Sequence, residues 1–162
     1  MRSDPVTGDL SIRPFHPEDA GALSALYEAS VRALGARDYS AAQTEAWAGL
    51  TPPAEALVER MRDGRTRLVA ILDGVAGFID LEADGHIDLL YVAPAATGLG
   101  VARALLETAE ALAPLSGATR LHAEASETAR PVFERLGYSV VGRRDFEVAG
   151  VPIHNWAVEK PL

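Results

Sequence analysis

Cysteine is absent from this chain. That excludes disulfides, thiolate metal sites and a cysteine nucleophile. No apolar run is long enough to span a membrane, and the N-terminus has no signal-peptide core. A cytoplasmic protein with no membrane partner is the expectation. Positive charge is in short supply, with 15 Lys+Arg against 23 Asp+Glu and a formal net charge of −8. That balance argues against nucleic acid as a main partner and favours cationic small molecules or basic peptides. Solubility alone would explain it equally well. The histidines, at 16, 86, 122 and 154, show no ligand spacing, so no metal is expected. A Gly-x-Ser-x-Gly elbow is missing, as are internal repeats and low-complexity tracts.

What is present suits one domain with a real hydrophobic core: 162 residues, 48% hydrophobic and 23% charged. Residues 1–9 read as a flexible N-terminus and 10–162 as a single domain. Residues 10–15 alternate apolar and polar and read as an opening strand, confined by Pro14 to an edge or a strand end. A helix follows over 20–34, with Leu23, Leu26, Tyr27 and Val31 at helical spacing and Gly35 as its stop. Further helical segments are expected from about Ser40 through Trp47 and over 54–61. Three strands, 66–72, 75–81 and 86–92, are separated by Asp73-Gly74 and Asp84-Gly85, pairs suited to hairpin turns with positive φ at both positions. Then come a glycine loop, a helix over 100–113, a strand over 119–125, a short helix over 126–137 and two strands joined at Ala149-Gly150.

The most informative stretch runs from Ile87 to Leu106: strand, proline-marked turn, glycine loop, helix. Gly98 and Gly100 let the loop backbone approach a ligand and present N–H groups, and the positive end of the following helix dipole points the same way. Such a loop binds a phosphate-bearing group without a basic side chain. It is not a dinucleotide fingerprint, because Arg103 stands where the third glycine belongs, and no Gly-Lys-Ser/Thr triplet exists for a Walker loop. A tight turn before an ordinary helix is the plain alternative.

Thr97-Gly-Leu-Gly-Val-Ala102, led by Leu-Tyr-Val-x-Pro, resembles the acyl-coenzyme-A loop of the GNAT superfamily of N-acetyltransferases, usually Gln/Arg-x-x-Gly-x-Gly/Ala. Gly100 and Ala102 fit its last two fixed positions, and Thr97 departs from the first. The segment from Ser126 to Tyr138 resembles the family's second cofactor-side helix. The resemblance covers nearly the whole element order. It implies an α+β fold whose mixed, mostly antiparallel sheet has about seven strands flanked by about four helices.

The resemblance also implies roles. Acetyl-coenzyme A would be the co-substrate. Its pantetheine arm would lie where the fourth strand leaves the fifth, along the backbone of Leu90 and Val92, with the Leu90 N–H facing the thioester oxygen. Thr97, Gly98, Leu99, Gly100, Val101 and Ala102 would cradle the pyrophosphate, and Ser126 and Phe133 would contact the same molecule. His86 falls where several relatives carry a carboxylate base, with Asp88 on the same strand face; a strand-end surface residue is the other reading of His86. Glu124, on the parallel fifth strand, is a third candidate. Phe133 stands where the family has a tyrosine acid, leaving Tyr138 as the proton donor or as a core residue.

Asp38, Tyr39 and Trp47 are candidates to hold a cationic amine, or else an amphipathic helix with a core Trp. The expected reaction is direct attack by a primary amine, on a small molecule or peptide, in a ternary complex. A non-catalytic acyl-coenzyme-A sensor of the same fold is the alternative, and a longer acyl group is a further variant that Ala93, Ala95 and Ala96 do not decide. A homodimer is left open.

Overall fold

The computed structural model describes residues 9–162, so the flexible end expected over 1–9 lies, but for Asp9, outside the described residues. Its strands are β1 (Ser11–Pro14), β2 (Thr66–Ile71), β3 (Val75–Leu81), β4 (His86–Val92), β5 (Arg120–Ala125), β6 (Ser139–Val148) and β7 (Val151–Pro161). The described residues also form five α-helices: α1 (Ala20–Leu34), α2 (Ala41–Ala48), α3 (Ala54–Arg60), α4 (Val101–Leu112) and α5 (Arg130–Arg135). The sheet runs β1-β2-β3-β4-β5-β7-β6. Every neighbouring pair is antiparallel except β4–β5.

Both faces of the sheet centre are covered, which is why β2 and β3 read as near-continuous apolar runs. Side chains alternate across the pleat. Leu68, Ala70 and Ile79 face the core shared with Leu105, Leu106 and Ala109 of α4. Val69 and Phe78 face the opposite core, shared with Leu23, Leu26 and Val31 of α1 and Leu57 of α3. Burying each of these leucines contributes about 1.5–3 kcal/mol. One ion pair is sunk in this frame: Arg67 holds Asp80 with bonds of 2.6 and 2.7 Å and donates to the Leu57 carbonyl at 2.7 Å.

α1 ends at Leu34 with Gly35 as its cap, as expected, though not in the expected conformation, and one turn expectation is corrected. Gly35 does not stop α1 by a left-handed cap, since its φ is −63° and the chain runs on into a tighter turn over Gly35–Arg37. It is packed against an indole instead: a Cβ there would lie 2.9 Å from Trp47 Cζ3. At Asp84-Gly85 only the glycine takes positive φ, whereas Asp73 and Gly74 both do. The Asp84 carboxylate accepts the His86 N–H at 2.9 Å. Gly85 also passes so close to β5 that a Cβ would fall 2.0 Å from the Arg120 carbonyl oxygen. Its own carbonyl accepts the His122 N–H at 3.1 Å. The turn thereby fastens the start of β4 to β5.

Candidate active site

That fastening is short. The β4–β5 ladder contains only His86↔His122 and Ile87↔Ala123. Beyond it β4 stays with β3 as far as Gly77↔Val92, and β5 stays with β7 as far as Ala125↔Trp156. The two strands therefore diverge, and a cavity of about 1090 Å³ opens between them. That volume is at the upper end for a ligand site and has room for two reactants.

One end of the cavity is made of backbone. Gly98 and Gly100 sit in the left-handed region, at φ 80° and 84°. A Cβ built on either would meet no atom within 4 Å, so both face open space. Gly100 is the N-cap of α4; its side has no capping side chain and the first turn has no acidic residue. The leading N–H groups of this 12-residue helix are thus left without side-chain partners, at its positive end. Leu90, Val92, Thr97, Gly98, Gly100, Val101, Ala102, Ser126 and Phe133 all line the cavity, while Leu99 does not and is 45% exposed. Ser126 Oγ accepts the Ala129 N–H at 3.0 Å, which shapes the turn into α5. Arg103 and Arg135 also line this region, and sequence reasoning had not singled out either as a ligand contact. Arg103 is engaged by Glu107 at 2.8 Å.

The other end is made of side chains. His86 and Glu124 line the cavity, with His86 Nε2 at 2.7 Å from Glu124 Oε2. On the far side of the ring, Nδ1 lies 2.6 Å from Glu82 Oε1. Burial opposes charge on this imidazole, but the hydrogen bonds to Glu82 and then Glu124 outweigh it and raise its pKa above the ordinary histidine value. Its neighbour His122 moves the other way, lowered by burial and by Arg120 and His86. Glu82 was not foreseen. Its signal was the hairpin spacing, because the turn that joins β3 to β4 pairs Glu82 N–H with the His86 carbonyl at 2.9 Å.

Asp88 also lines the cavity but is drawn toward Arg65, whose guanidinium sits 2.7 Å from Asp88, 2.9 Å from Asp80 and 2.8 Å from Asp63. Glu82, His86 and Asp88 bring one ligand-capable atom each within 4.8 Å of one another. Those side chains are engaged in hydrogen bonds to one another, to Glu124 and to Arg65.

The structure separates Tyr138 from this group. Tyr138 is 3% exposed, does not line the cavity, and donates to Glu110 at 3.1 Å beneath Lys160. Burial and the Glu110 carboxylate push its pKa up, the wrong direction for an acid at neutral pH. Its ring packs edge-on against Phe133 at 5.0 Å between centroids. Asp38 is likewise outside the cavity, where its carboxylate accepts from Thr128 at 2.8 Å.

Tyr39 and Trp47 do line it, with ring centroids 5.5 Å apart. The Tyr39 hydroxyl accepts the Glu127 N–H at 2.8 Å and donates to the His154 carbonyl at 2.9 Å. Trp47 Nε1 donates to the Tyr91 hydroxyl at 3.3 Å. Tyr91 packs against Tyr27 with the rings tilted by 40°, 4.3 Å between centroids, and both line the same wall. Glu127 accepts from Trp156 Nε1 at 2.6 Å and faces His154 Nε2 at 2.7 Å, and these bonds lower its pKa.

An open sheet split between one parallel pair, with a glycine loop and helix N-terminus at the mouth of the split, is the architecture of an acyl-coenzyme-A N-acetyltransferase fold. The sequence matches the acetyltransferase (GNAT) domain family over residues 35–160, and the chain belongs to that family. It is similar to the uncharacterised N-acetyltransferase YafP of Escherichia coli strain K12, at 30% identity over 148 residues, 91% of this chain and 93% of that protein. Among solved structures it is similar to a GCN5-related N-acetyltransferase from Rhodopseudomonas palustris, with a TM-score of 0.88 and 35% identity over 99% of this chain and 100% of that one. The PaiA N-acetyltransferase of Thermoplasma acidophilum, solved in complex with coenzyme A, shares the fold with a TM-score of 0.76 and 21% identity, covering 96% and 100% of the two chains. Among the described residues no helix is long and apolar enough to cross a membrane.

Proposed function

We propose that this protein moves an acetyl group from acetyl-coenzyme A to a primary amine by direct attack in a ternary complex. The observation that carries the reading is the single cavity that runs from the Gly98–Gly100 loop, along the splayed β4, to His86 and Glu124. The coenzyme-A complex of the PaiA neighbour supports the choice of co-substrate. The pyrophosphate would sit on the backbone of residues 97–102. The pantetheine would fill the gap beside Leu90 and Val92, whose backbone loses its β5 partner after Ile87. Ser126 and Phe133 would wall the same arm.

An alkylammonium has a pKa of about 10.4, so the amine must lose a proton before it attacks. Transfer to a carboxylate near 4.3 is uphill by about six units and to a histidine near 6.5 by about four. At roughly 1.4 kcal/mol per unit, the histidine route lies about 3 kcal/mol lower. That difference favours a histidine as the proton acceptor, and His86 lines the cavity with its pKa raised by its carboxylate partners. Asp88 orients the wall through Arg65 instead. The amine nitrogen bonds to the acetyl carbon, the carbon–sulfur bond breaks, the nitrogen gives its second proton to water to become the amide, and the thiolate takes a proton from water. A thiol with a pKa of about 8.5 needs no stronger acid. Most of the acceleration would come from alignment of amine and thioester.

The deciding experiment is a panel of primary amines, free and at peptide N-termini, assayed for thiol release from acetyl-coenzyme A. Amine-dependent release establishes transfer. Tight binding of acetyl-coenzyme A with no release for any amine would mark a non-catalytic sensor of the same fold.

A further inference from the structure

His86 is held at both ring nitrogens, and its two partners differ in where they face. Glu124 shares the cavity wall with His86, whereas Glu82 lies outside the cavity on the turn side. Both contacts are short, at 2.6 Å to Glu82 and 2.7 Å to Glu124. A neutral imidazole has one N–H and one lone pair, and its tautomer follows the stronger fixed acceptor. If Glu82 takes the Nδ1 proton, Nε2 presents a lone pair toward a second acceptor, Glu124 Oε2. While the ring is a cation, Nε2–H donates to Glu124 across this 2.7 Å; once only Nδ1–H remains, Nε2 and Glu124 Oε2 are two acceptors side by side, and an ammonium group supplies N–H bonds to both.

Resting on the transfer reading above, we propose that Glu82 is a positioning residue that sets the His86 tautomer, and that Glu124 binds the ammonium of the acceptor beside the His86 base. The proton path then balances. One ammonium N–H bond breaks as Nε2–H forms. The imidazolium is held between two carboxylates. Its Nε2 proton then passes to water, which restores the Nδ1–H ring, while Glu82 stays ionised behind it. The amine lone pair is released toward the thioester. The arrangement follows the logic of a carboxylate–histidine pair, in which the rear carboxylate fixes tautomer and orientation.

Other charged groups around the pair are accounted for. His122 lies beside His86, tilted, at 5.1 Å between ring centroids, and faces Asp84 at 3.9 Å. Asp84 also accepts the His86 backbone N–H. Asp88 is taken by Arg65, and Arg144 of β6 stands 3.9 Å from Glu124. Arg144 is far enough away for an ammonium to compete with it for Glu124.

The test combines ring-nitrogen NMR on the full chain with steady-state kinetics. Above the histidine midpoint, the His86 ring of the free protein is expected to carry its proton on Nδ1, and Glu82→Ala to lose that preference. Glu82→Gln keeps an acceptor but removes the charge, so the acid limb of kcat/KM should move about one unit lower in pH. Glu124→Gln should raise KM for cationic amines about tenfold and leave coenzyme A affinity unchanged. An Nε2–H tautomer in the wild type, or a Glu82→Gln profile that superimposes on it, overturns the Glu82 assignment. An unchanged KM in Glu124→Gln overturns the Glu124 assignment. Absence of thiol release from the wild type with every amine defeats the transfer reading instead, and the nitrogen spectra still decide whether Glu82 holds the ring.

Discussion

The two ends of the cavity are built from different materials. The phosphate end is backbone: two glycines in the left-handed region and the start of α4, all within a few residues of one another in sequence. The acceptor end is side chains drawn from α1, α2, β4 and β5, with Glu82 of the β3–β4 turn behind His86 and outside the cavity. A backbone site tolerates almost any side chain that keeps its φ and ψ. A side-chain site depends on each partner being delivered to within a few tenths of an ångström by elements far apart in the chain. The first end should therefore fail through conformation and the second through single functional groups.

Four perturbations break or sharpen that contrast, from the largest effect to the smallest. His86→Ala should cut turnover by about 10²-fold or more, the usual scale for losing a general base, with coenzyme A affinity unchanged by calorimetry. Equal losses in both would mean that the two ends are not separate.

Gly100→Val comes next. A β-branched residue at φ 84° is strained, and its side chain enters the space open to the loop. Affinity for acetyl-coenzyme A should fall by tenfold or more while the fold persists by circular dichroism. Unchanged affinity in a folded variant would remove the loop from the site.

The third is pH. The wild-type rate should rise through a midpoint above the ordinary histidine value of about 6.5, since the folded pKa of His86 is raised. The same shift has a stability consequence with a fixed sign. The contribution of protonated His86 is complete below its unfolded pKa and disappears as pH climbs through its folded pKa. Denaturant midpoints of wild type and His86→Ala should therefore converge as pH rises through that window. Parallel curves would mean that the ring is not held as a cation.

The smallest effect is expected at Tyr138→Phe. It removes one hydrogen bond to Glu110, worth about 1 kcal/mol, and should leave turnover alone. A large drop in turnover with intact stability would restore Tyr138 as the acid.

The same division explains what was legible in the chain. The Ile87–Leu106 stretch disclosed strand, loop and helix because each is a local preference, and the Gly98–Gly100 spacing acts without distant partners. The element order was legible for that reason, including the hairpin at Ala149-Gly150 and the edge position of β1. Gly35 does close α1 as its position implies, but without the left-handed φ usual for such a glycine, and it makes room for an indole that is twelve residues away. Tyr138 and Asp38 were plausible by position, but which way a side chain turns is settled by packing partners that position does not name. Glu110 claimed one and Thr128 the other.

The sequence by itself determined the family, the order of strands and helices, and the backbone loop, because periodicity, turn residues and glycine spacing are encoded over short distances. Tertiary structure decided the proton chemistry. Glu82 and His86 meet because the β3–β4 turn is tight, and Glu124 reaches the same ring because Gly85 lets β4 touch β5 for two residue pairs before the strands part. Charge, tautomer and access at His86 are set by groups from three elements at hydrogen-bond distance, and no local pattern carries that information.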